Sequence, residues 1–242
     1  MQPDQNRLVL TPARLTRLLA AMLGFVFGMH ALAMVVAHGF GYPVALGFVP
    51  LFHIDFEDNV PTFAAFMLLI ACALVCAWSS ALETSRPRHM RAWALIAVLF
   101  LGLAADEAFG FHEQLDAALH VWFSEVDLPL FAWILPYGFT VGLIGLFLLR
   151  WFLELERPLQ VRLFAAGALF LSGAIGLELV SGGYYQSLPA DRETFRTLTV
   201  DLLSTAEEAC EFAGLSIFLI AMVRRMGGIS FRALDPAMPV AG

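Results

Sequence analysis

Six long apolar segments, separated by shorter polar segments, follow one another along the chain. They lie near residues 17–39, 62–82, 91–113, 130–151, 162–184 and 202–223. A helix needs about 20 consecutive apolar residues to cross the hydrocarbon core of a bilayer. The pattern therefore predicts an all-α fold: a polytopic bundle of six transmembrane helices that forms a single membrane domain over residues 1–242.

The basic residues indicate how this bundle is oriented. All 14 of them are arginines, and twelve lie before the first apolar segment, in the second and fourth connections, or after the sixth segment. Arg192 and Arg196 are the two that lie in a connection at the other end. Because connections rich in positive charge stay in the cytoplasm, both chain termini are predicted to be cytoplasmic.

Composition supports a membrane protein and narrows its chemistry. The chain is 60% hydrophobic and 14% charged, with a mean hydropathy of +0.76, whereas soluble domains are about 25% charged. The lipid bilayer is therefore the predicted surrounding. The absence of lysine excludes a retinal Schiff base or a PLP aldimine. An isoelectric point near 5.3 argues against a nucleic-acid partner.

Acidic residues within or beside the apolar segments are the most informative polar feature of the chain. They are Asp106, Glu107, Glu113, Glu178, Glu207, Glu208 and Glu211. A carboxylate near the centre of a bilayer costs about 2.5–3.5 kcal/mol. Since no arginine lies at their depth in the sequence, a bound metal, shared protons or a water-filled cavity must compensate these charges.

Helix rise places these acidic groups at one level. Five of them lie about 20–24 Å from the arginines at the other end of their segments, namely Asp106, Glu107, Glu178, Glu208 and Glu211. His30 of the first segment lies at a similar height. We therefore expect segments one, three, five and six to surround an acidic centre. His30 itself is interpreted as a hydrogen-bonded core histidine. Segments two and four lack acidic residues and are predicted to face lipid.

The first interpretation of this layer is a metal site. The predicted ligands are Asp106, Glu107, His112, Glu178, Glu207, Glu208 and Glu211. Carboxylates with an imidazole suit iron, manganese or zinc. Inward-facing Glu and His from four helices are typical of ferritin-like bundles, although their Glu-x-x-His pattern is absent here. A distortion of the third helix at Gly110 would adapt the geometry.

Three further residues are predicted to be catalytic. Glu57 and Glu113 lie at the mouth of the predicted site and could shuttle protons. Tyr185, with Tyr184 beside it, lies about two turns from Glu178 and could donate hydrogen bonds or take part in redox chemistry. The predicted activity is that of a metal-dependent oxidoreductase or hydrolase with an apolar or lipid-like substrate.

Other interpretations stay open. His112, Asp116 and His120 recur on one helical face, as in a zinc-protease pattern with one ligand replaced. The Glu207–Glu208 pair is typical of a proton- or cation-coupled transporter. A non-catalytic subunit of a membrane complex, packed against a membrane-protein partner or a second copy of the chain, is a third alternative.

Two segments outside the predicted membrane are expected to be ordered. Residues 41–61 are aromatic with an acidic cluster, and residues 113–128 form an amphipathic stretch. An amphipathic helix of this kind can lie in the plane of the bilayer surface.

Three motifs carry a resemblance to a known family. They are Glu57-Asp58-Asn59-Val60-Pro61-Thr62, Asp106 to Glu113, and Glu207 to Glu211. They resemble a bacterial family of six-helix membrane proteins with E-x-N-x-P-T, D-E-x4-H-E and E-E-x-x-E signatures. The resemblance implies a bacterial inner-membrane protein and marks the same acidic residues, here predicted to face the periplasm. It implies no substrate.

Overall fold

The computed structural model describes residues 7–126, 128–187 and 197–232, so the predicted outer arginines, Arg192 and Arg196, lie outside the described residues. The described chain is mainly helical. Its helices are α1 (Pro12–Met34), α2 (Phe48–Phe52), α3 (Val60–Leu82), α4 (Pro87–Phe109), α5 (Phe111–Trp122), α6 (Ile134–Leu153), α7 (Arg157–Leu171), α8 (Glu178–Ser187) and α9 (Leu198–Arg225).

Two of these helices continue through π-helical turns. Helix α1 runs on through Val35–Gly39, and α7 is joined to α8 through Ser172–Leu177. A π-helical turn widens the helix locally and changes the direction of the side chains beyond it, and such turns are frequent at functional sites. Both turns lie next to polar residues discussed below.

Five helical stretches are long and apolar enough to cross a membrane. They are Pro12–Gly39, Val60–Leu82, Pro87–Phe109, Ile134–Leu153 and Arg157–Ser187. Helix α9 has 28 residues, but Glu207, Glu208 and Glu211 interrupt its apolar character. The structure therefore confirms the predicted mainly helical fold with helices suited to cross a membrane.

Helix starts follow local chemistry. The side chains of Thr11, Asn59 and Thr197 cap α1, α3 and α9 by accepting a hydrogen bond from a backbone N–H of the first turn. Prolines follow two of these caps, at Pro12 and Pro61. Proline is well tolerated there because the first N–H groups of a helix have no partner within the helix.

Helix α4 ends at Gly110, three residues before the predicted end of the third segment. Gly110 has φ +57°, a left-handed conformation that glycine adopts readily. Helix α5 begins directly after it, so His112 and Glu113 belong to α5. The expected distortion at Gly110 is therefore a break between two helices, and the predicted ordered segment 113–128 begins within the second of them.

The chain is not wholly helical. Strand β1 (Arg7–Leu10) pairs antiparallel with β2 (Ile229–Arg232), and Arg7 is opposite Arg232. The sequence prediction missed this sheet because pairing between the two ends of the chain leaves no local pattern. The sheet brings both ends of the described chain together.

The arginine-rich end is tied together by side chains as well. Arg88 pairs with Glu154, and Arg225 pairs with Glu83. The guanidinium of Arg225 also lies 5.2 Å from the ring centroid of Trp93. These contacts join the α3–α4 connection, the α6–α7 connection and the end of α9 at one end of the bundle.

One face of the second apolar segment is buried in the bundle and the other is exposed, so the predicted lipid-facing role applies to only part of this helix. Half of the spanning stretch of α3 is buried (50%), against 11% for α6. Its small residues Ala65, Cys72 and Cys76 are buried between α4 and α9. Small side chains allow close helix approach in membrane bundles, so an absence of charge did not distinguish a central helix from a peripheral one.

Candidate functional site

A cavity of about 570 Å³ lies at the end of the bundle opposite the arginines. Its wall includes all of the residues predicted to bind metal or to be catalytic: Glu57, Asp106, Glu107, His112, Glu113, Glu178, Tyr185, Glu207, Glu208 and Glu211. No arginine belongs to the described part of its lining. Their chemical roles stay predictions, but the structure brings these side chains together.

Burial divides these residues into an interior and a rim. The seven predicted metal ligands are all half-buried, whereas Glu57 and Glu113 are exposed. Tyr185 is half-buried, and its ring packs edge-on against Phe131 at 6.3 Å between centroids. The cavity therefore has a polar interior below an acidic mouth.

Asp106 and His112 form the most complete hydrogen-bonded unit of the cavity. The His112 backbone N–H donates to Asp106 Oδ1 at 2.8 Å, and His112 Nδ1 lies 3.1 Å from Asp106 Oδ2. The Tyr137 hydroxyl donates to Asp106 Oδ1 at 3.1 Å. We assign the ring proton of His112 to Nδ1 because a carboxylate can only accept. Nε2 is then the nitrogen that can bind a ligand.

The electrostatics of the rim follow from this arrangement. Burial lowers the pKa of His112, but the hydrogen bond and charge of Asp106 outweigh it, so this pKa lies above its usual value. Desolvation by the cavity wall, and then the charge of Glu113, raise the pKa of Glu57. Compared with bulk water, the rim therefore favours the cationic form of His112 and the protonated form of Glu57.

Glu178 and Glu207 interact directly across two helices. The two carboxyl groups act on each other electrostatically, and Trp133 lies beside Glu178. The α8–α9 contact therefore brings two acidic groups together at the cavity wall.

The remaining glutamates face one another around the cavity. Glu208 lies in the electrostatic field of Glu211, Glu107 and Glu57. Glu211 is likewise influenced by Glu107 and Glu178. Like charges at close range disfavour ionisation, so this group has a surplus of negative charge that cations or protons must offset.

A single glycine sets the approach of two helices here. A Cβ atom at Gly173, in the π-helical turn before α8, would lie 2.6 Å from the Glu207 carbonyl oxygen and 3.0 Å from Glu211 Cγ. No side chain larger than hydrogen fits without movement of α9. Gly176, in the same turn, has no atom within 4 Å of such a Cβ.

Several lining residues were missed by the sequence analysis. Trp133 and Tyr137 bring polar atoms from the start of α6 to Glu178 and Asp106. Their spacing of one helical turn is a weak signal, since aromatic residues are common at membrane interfaces for other reasons. Asp55 also lines the cavity.

Asn59 organises the segment before α3. Its side-chain amide donates to the carbonyl oxygens of His53 and Phe56, both at 2.7 Å, and its oxygen accepts from Thr62 N at 3.0 Å. The E-x-N-x-P-T motif thus combines a rim carboxylate, Glu57, with a cap that fixes the turn bearing it.

Histidines from the first half of the chain lie beside the cavity rather than in it. His38, His53, Asp55 and Asp201 form a group that we call the histidine cluster. Ligand atoms of His53, Asp55 and Asp201 lie within 4.8 Å of one another, so this group could hold a metal ion. The cavity carboxylates do not form such a compact group within the described residues.

His30 belongs to the surroundings of this cluster, which corrects its placement in the acidic layer. Its Nδ1 accepts from Ile54 N at 3.1 Å, and its Nε2 lies 2.8 Å from Thr205 Oγ1. Both ring nitrogens are therefore used, as expected for a hydrogen-bonded core histidine. Helix α1 is not part of the cavity lining, and α3, α5 and α6 contribute instead.

The zinc-protease interpretation is wrong. His112 is bonded to Asp106, whereas His120 Nε2 donates to the Leu130 carbonyl oxygen at 3.2 Å. Asp116 accepts from Trp133 N at 3.2 Å and lies 3.8 Å from His120. The three side chains do not converge, because each is satisfied by a different neighbour.

Comparison with known proteins gives one match. The family described as Domain of unknown function (DUF8692) matches residues 13–226. This range includes the three motifs and is consistent with the resemblance that they indicated. No curated protein and no solved structure matches the chain.

Proposed function

The chain belongs to the DUF8692 family, and we propose that it is a membrane-embedded metal-binding protein whose acidic cavity is the binding site. The observation that carries the proposal is a charge imbalance. Half-buried carboxyl groups from α4, α8 and α9 face one cavity with one imidazole and no arginine in its described lining. Divalent cations offset such a surplus of charge and use these ligand types.

The proposed ligands are those whose polar atoms remain available to the cavity. They are Glu107, His112, Glu178, Glu207, Glu208 and Glu211. We assign Asp106 a different role from the one predicted, because its two oxygens accept from His112 and Tyr137. A carboxylate that holds the second nitrogen of a metal-binding imidazole fixes its orientation and raises its basicity.

The donor set suits iron, manganese or zinc. Such a metal, when bound, would supply Lewis-acid or redox chemistry. We infer an oxidation or hydrolysis of an apolar or lipid-like substrate. Apolar side chains of Phe131, Val141 and Phe170 line the cavity beside the acidic groups and would contact it. Glu57 and Glu113 at the mouth would exchange protons with water, and Tyr185 would donate a hydrogen bond.

We further infer a placement in the bacterial inner membrane with six spans. Helix α9 would be the sixth, since its 28 residues reach about 42 Å at the usual helical rise. The arginine-rich end, with the paired strands, would be cytoplasmic by the distribution of positive charge. The cavity would then open to the periplasm.

Elemental analysis of the detergent-purified protein tests the proposal. We expect one or two equivalents of iron, manganese or zinc in the wild type and a loss of most of this metal in the double variant Glu208→Gln/Glu211→Gln. Glu154→Gln is the matched control, because Glu154 lies at the arginine end and pairs with Arg88. Equal metal content in both variants would refute a metal site in the cavity.

One observation favours a second candidate, a proton- or cation-coupled transporter. Glu178 and Glu207 place two carboxyl groups side by side inside a membrane helix bundle, an arrangement typical of proton relays. Proton uptake into liposomes, measured with a pH-sensitive dye and abolished by Glu207→Gln, would support it. Stoichiometric metal without such flux would favour the metal site.

A further inference from the structure

We propose that the histidine cluster is a second metal site, separate from the acidic cavity and selective for a zinc-like divalent transition metal. The proposal does not rest on the proposed function of the cavity. Its proposed ligands are His38, His53 and Asp201, with Asp55 at the side of the cavity. They come from three separate parts of the chain: the π-helical turn after α1, the segment before α3, and the first turn of α9.

The ligand atoms converge on one carboxylate. His38 Nε2 lies 2.5 Å and His53 Nε2 lies 3.4 Å from the same oxygen, Asp201 Oδ2. An Asp55 oxygen lies within 4.8 Å of the ligand atoms of His53 and Asp201, and His38 contacts this group through Asp201. In a tetrahedral zinc site, with bonds of about 2.0–2.1 Å, neighbouring ligand atoms are about 3.3 Å apart. The His53–Asp201 spacing already has this value.

The other oxygen of Asp201 is the independent sign of a missing ligand. Only 2% of the Asp201 side chain is exposed, and its Oδ1 has no hydrogen-bond partner among the described residues. A buried carboxylate oxygen without a donor is unfavourable, because its lost hydration is not replaced by a hydrogen bond. In a purely structural hydrogen-bond network, the two histidines would be expected to bond one each to the two oxygens of Asp201.

Hydrogen bonds from neighbouring groups hold the cluster in place, and one of them, from the Ser204 hydroxyl to Asp55 Oδ1 at 2.7 Å, uses a proposed ligand residue. Asn59 fixes the turn that carries His53 by bonding its carbonyl oxygen. His30 bonds to Thr205, and the Thr205 hydroxyl donates to the backbone carbonyl of Asp201. These bonds position His53 and Asp201 through their backbones. Because these residues are already held in place, less ordering of their side chains is required when a metal binds.

Metal binding requires a definite change of protonation. In the metal-free protein His38 Nε2 is hydrogen-bonded to Asp201 Oδ2, His53 Nε2 lies 3.4 Å from the same oxygen, and His53 Nδ1 accepts from Asp55 N over a long 3.3 Å. On binding, each Nε2 loses its proton to form a metal bond, the proton of a neutral imidazole moves to Nδ1, and the Asp55 N contact opens. Metal binding of this type releases protons whenever an imidazole was cationic beforehand.

The donor set differs from that of the cavity. Two imidazole nitrogens with carboxylate oxygens suit zinc, cobalt, nickel or copper, whereas the cavity is dominated by hard oxygen donors. The two sites should therefore differ in metal preference. Cobalt is the appropriate probe, because Co²⁺ occupies zinc-type sites and has visible absorption bands whose intensity reports a low coordination number.

The experiment is a Co²⁺ titration of the full-length chain in detergent after treatment with a chelator. We expect visible absorption that saturates at one equivalent, and an apparent Kd at least about tenfold higher in His38→Gln and Asp201→Asn, since even partners behind a ligand change affinity by 10–100-fold. The His38 side chain is 29% exposed, so His38→Gln is expected to fold even if Asp201→Asn does not.

Two controls separate the sites. His89→Gln removes a buried histidine beside a carboxylate, Glu154, at the other end of the bundle and should leave the band unchanged. Glu208→Gln/Glu211→Gln alters the cavity and should leave it unchanged as well. Absence of the band in the wild type, an unchanged affinity in His38→Gln, or loss of the band in the cavity variant would each overturn the proposal.

Discussion

The acidic cavity and the histidine cluster lie side by side, but they satisfy their carboxylates in opposite ways. In the cavity, several glutamates face one another, and Asp106 is the carboxylate most fully supplied with donors. In the cluster, one buried carboxylate, Asp201, has two imidazoles on one of its oxygens. The cavity has more carboxyl groups than positive groups to pair with them, whereas the cluster has two imidazoles for one buried carboxylate.

This difference shows how far each region depends on a cation or a proton from solution. Repulsion among the cavity glutamates falls when a cation or a proton enters. The cluster already has internal partners, so removing its carboxylate leaves donors unpaired. Neutralising a carboxyl group should therefore have opposite effects on the stability of the two regions.

The largest effect is expected at Gly173, where α9 packs closely against the π-helical turn before α8. Gly173→Ala places a methyl group 2.6 Å from the Glu207 carbonyl oxygen, so α8 and α9 must separate. We expect a loss of about 1–3 kcal/mol in the free energy of unfolding, as for other overpacked sites. Thermal unfolding in detergent measures it, with Gly176→Ala as the control because its Cβ meets no atom within 4 Å. Equal stability of the two variants would contradict the close α8–α9 packing.

A loss of similar size is expected in the cluster on removal of its carboxylate. Asp201→Ala removes the acceptor bonded to His38 and the carboxylate 3.4 Å from the buried His53 ring, at a cost of about 1–3 kcal/mol. The exposed Glu125→Ala is the control. Chemical or thermal unfolding in the presence of a chelator measures the change. A neutral effect of Asp201→Ala would mean that these contacts add nothing to stability.

The opposite sign is expected in the cavity. Glu208→Gln removes an ionisable group whose charged form is repelled by Glu211, Glu107 and Glu57. We expect the metal-free protein to gain about 1 kcal/mol, the size of a typical stabilising substitution, while its metal affinity falls. The same unfolding assay, with and without metal, separates the two effects. Destabilisation of the metal-free protein would show that Glu208 makes favourable contacts instead.

The smallest effect concerns pH. The pKa of His112 lies above its unfolded value near 6.5, because Asp106 outweighs burial. The stabilisation from this pair is therefore fully present below pH 6.5 and is lost as the pH rises through the folded-state pKa. In chelator, we expect His112→Gln to remove this part of the pH dependence of the unfolding temperature. An unchanged profile would exclude a charged His112–Asp106 pair.

Much of the cavity could be predicted from residue spacing alone. Helical rise is constant, so Glu107, Glu178 and Glu208 could be placed at one level by counting from their arginines. Partners on other elements could not be counted in this way. Trp133 and Tyr137 reach Glu178 and Asp106 from a helix without acidic residues, and nothing in the local pattern distinguishes them from interface aromatics.

The sequence by itself determined the apolar helices, the gathering of arginines at one end and the level of the acidic groups, because hydrophobic length and helical periodicity are local properties. Tertiary structure decided which polar groups meet. The π-helical turn at Val35–Gly39 and the turn fixed by Asn59 bring His38 and His53 to Asp201, more than 140 residues away. Contacts between side chains so distant in sequence depend on the packing of the whole bundle and leave no periodic signal.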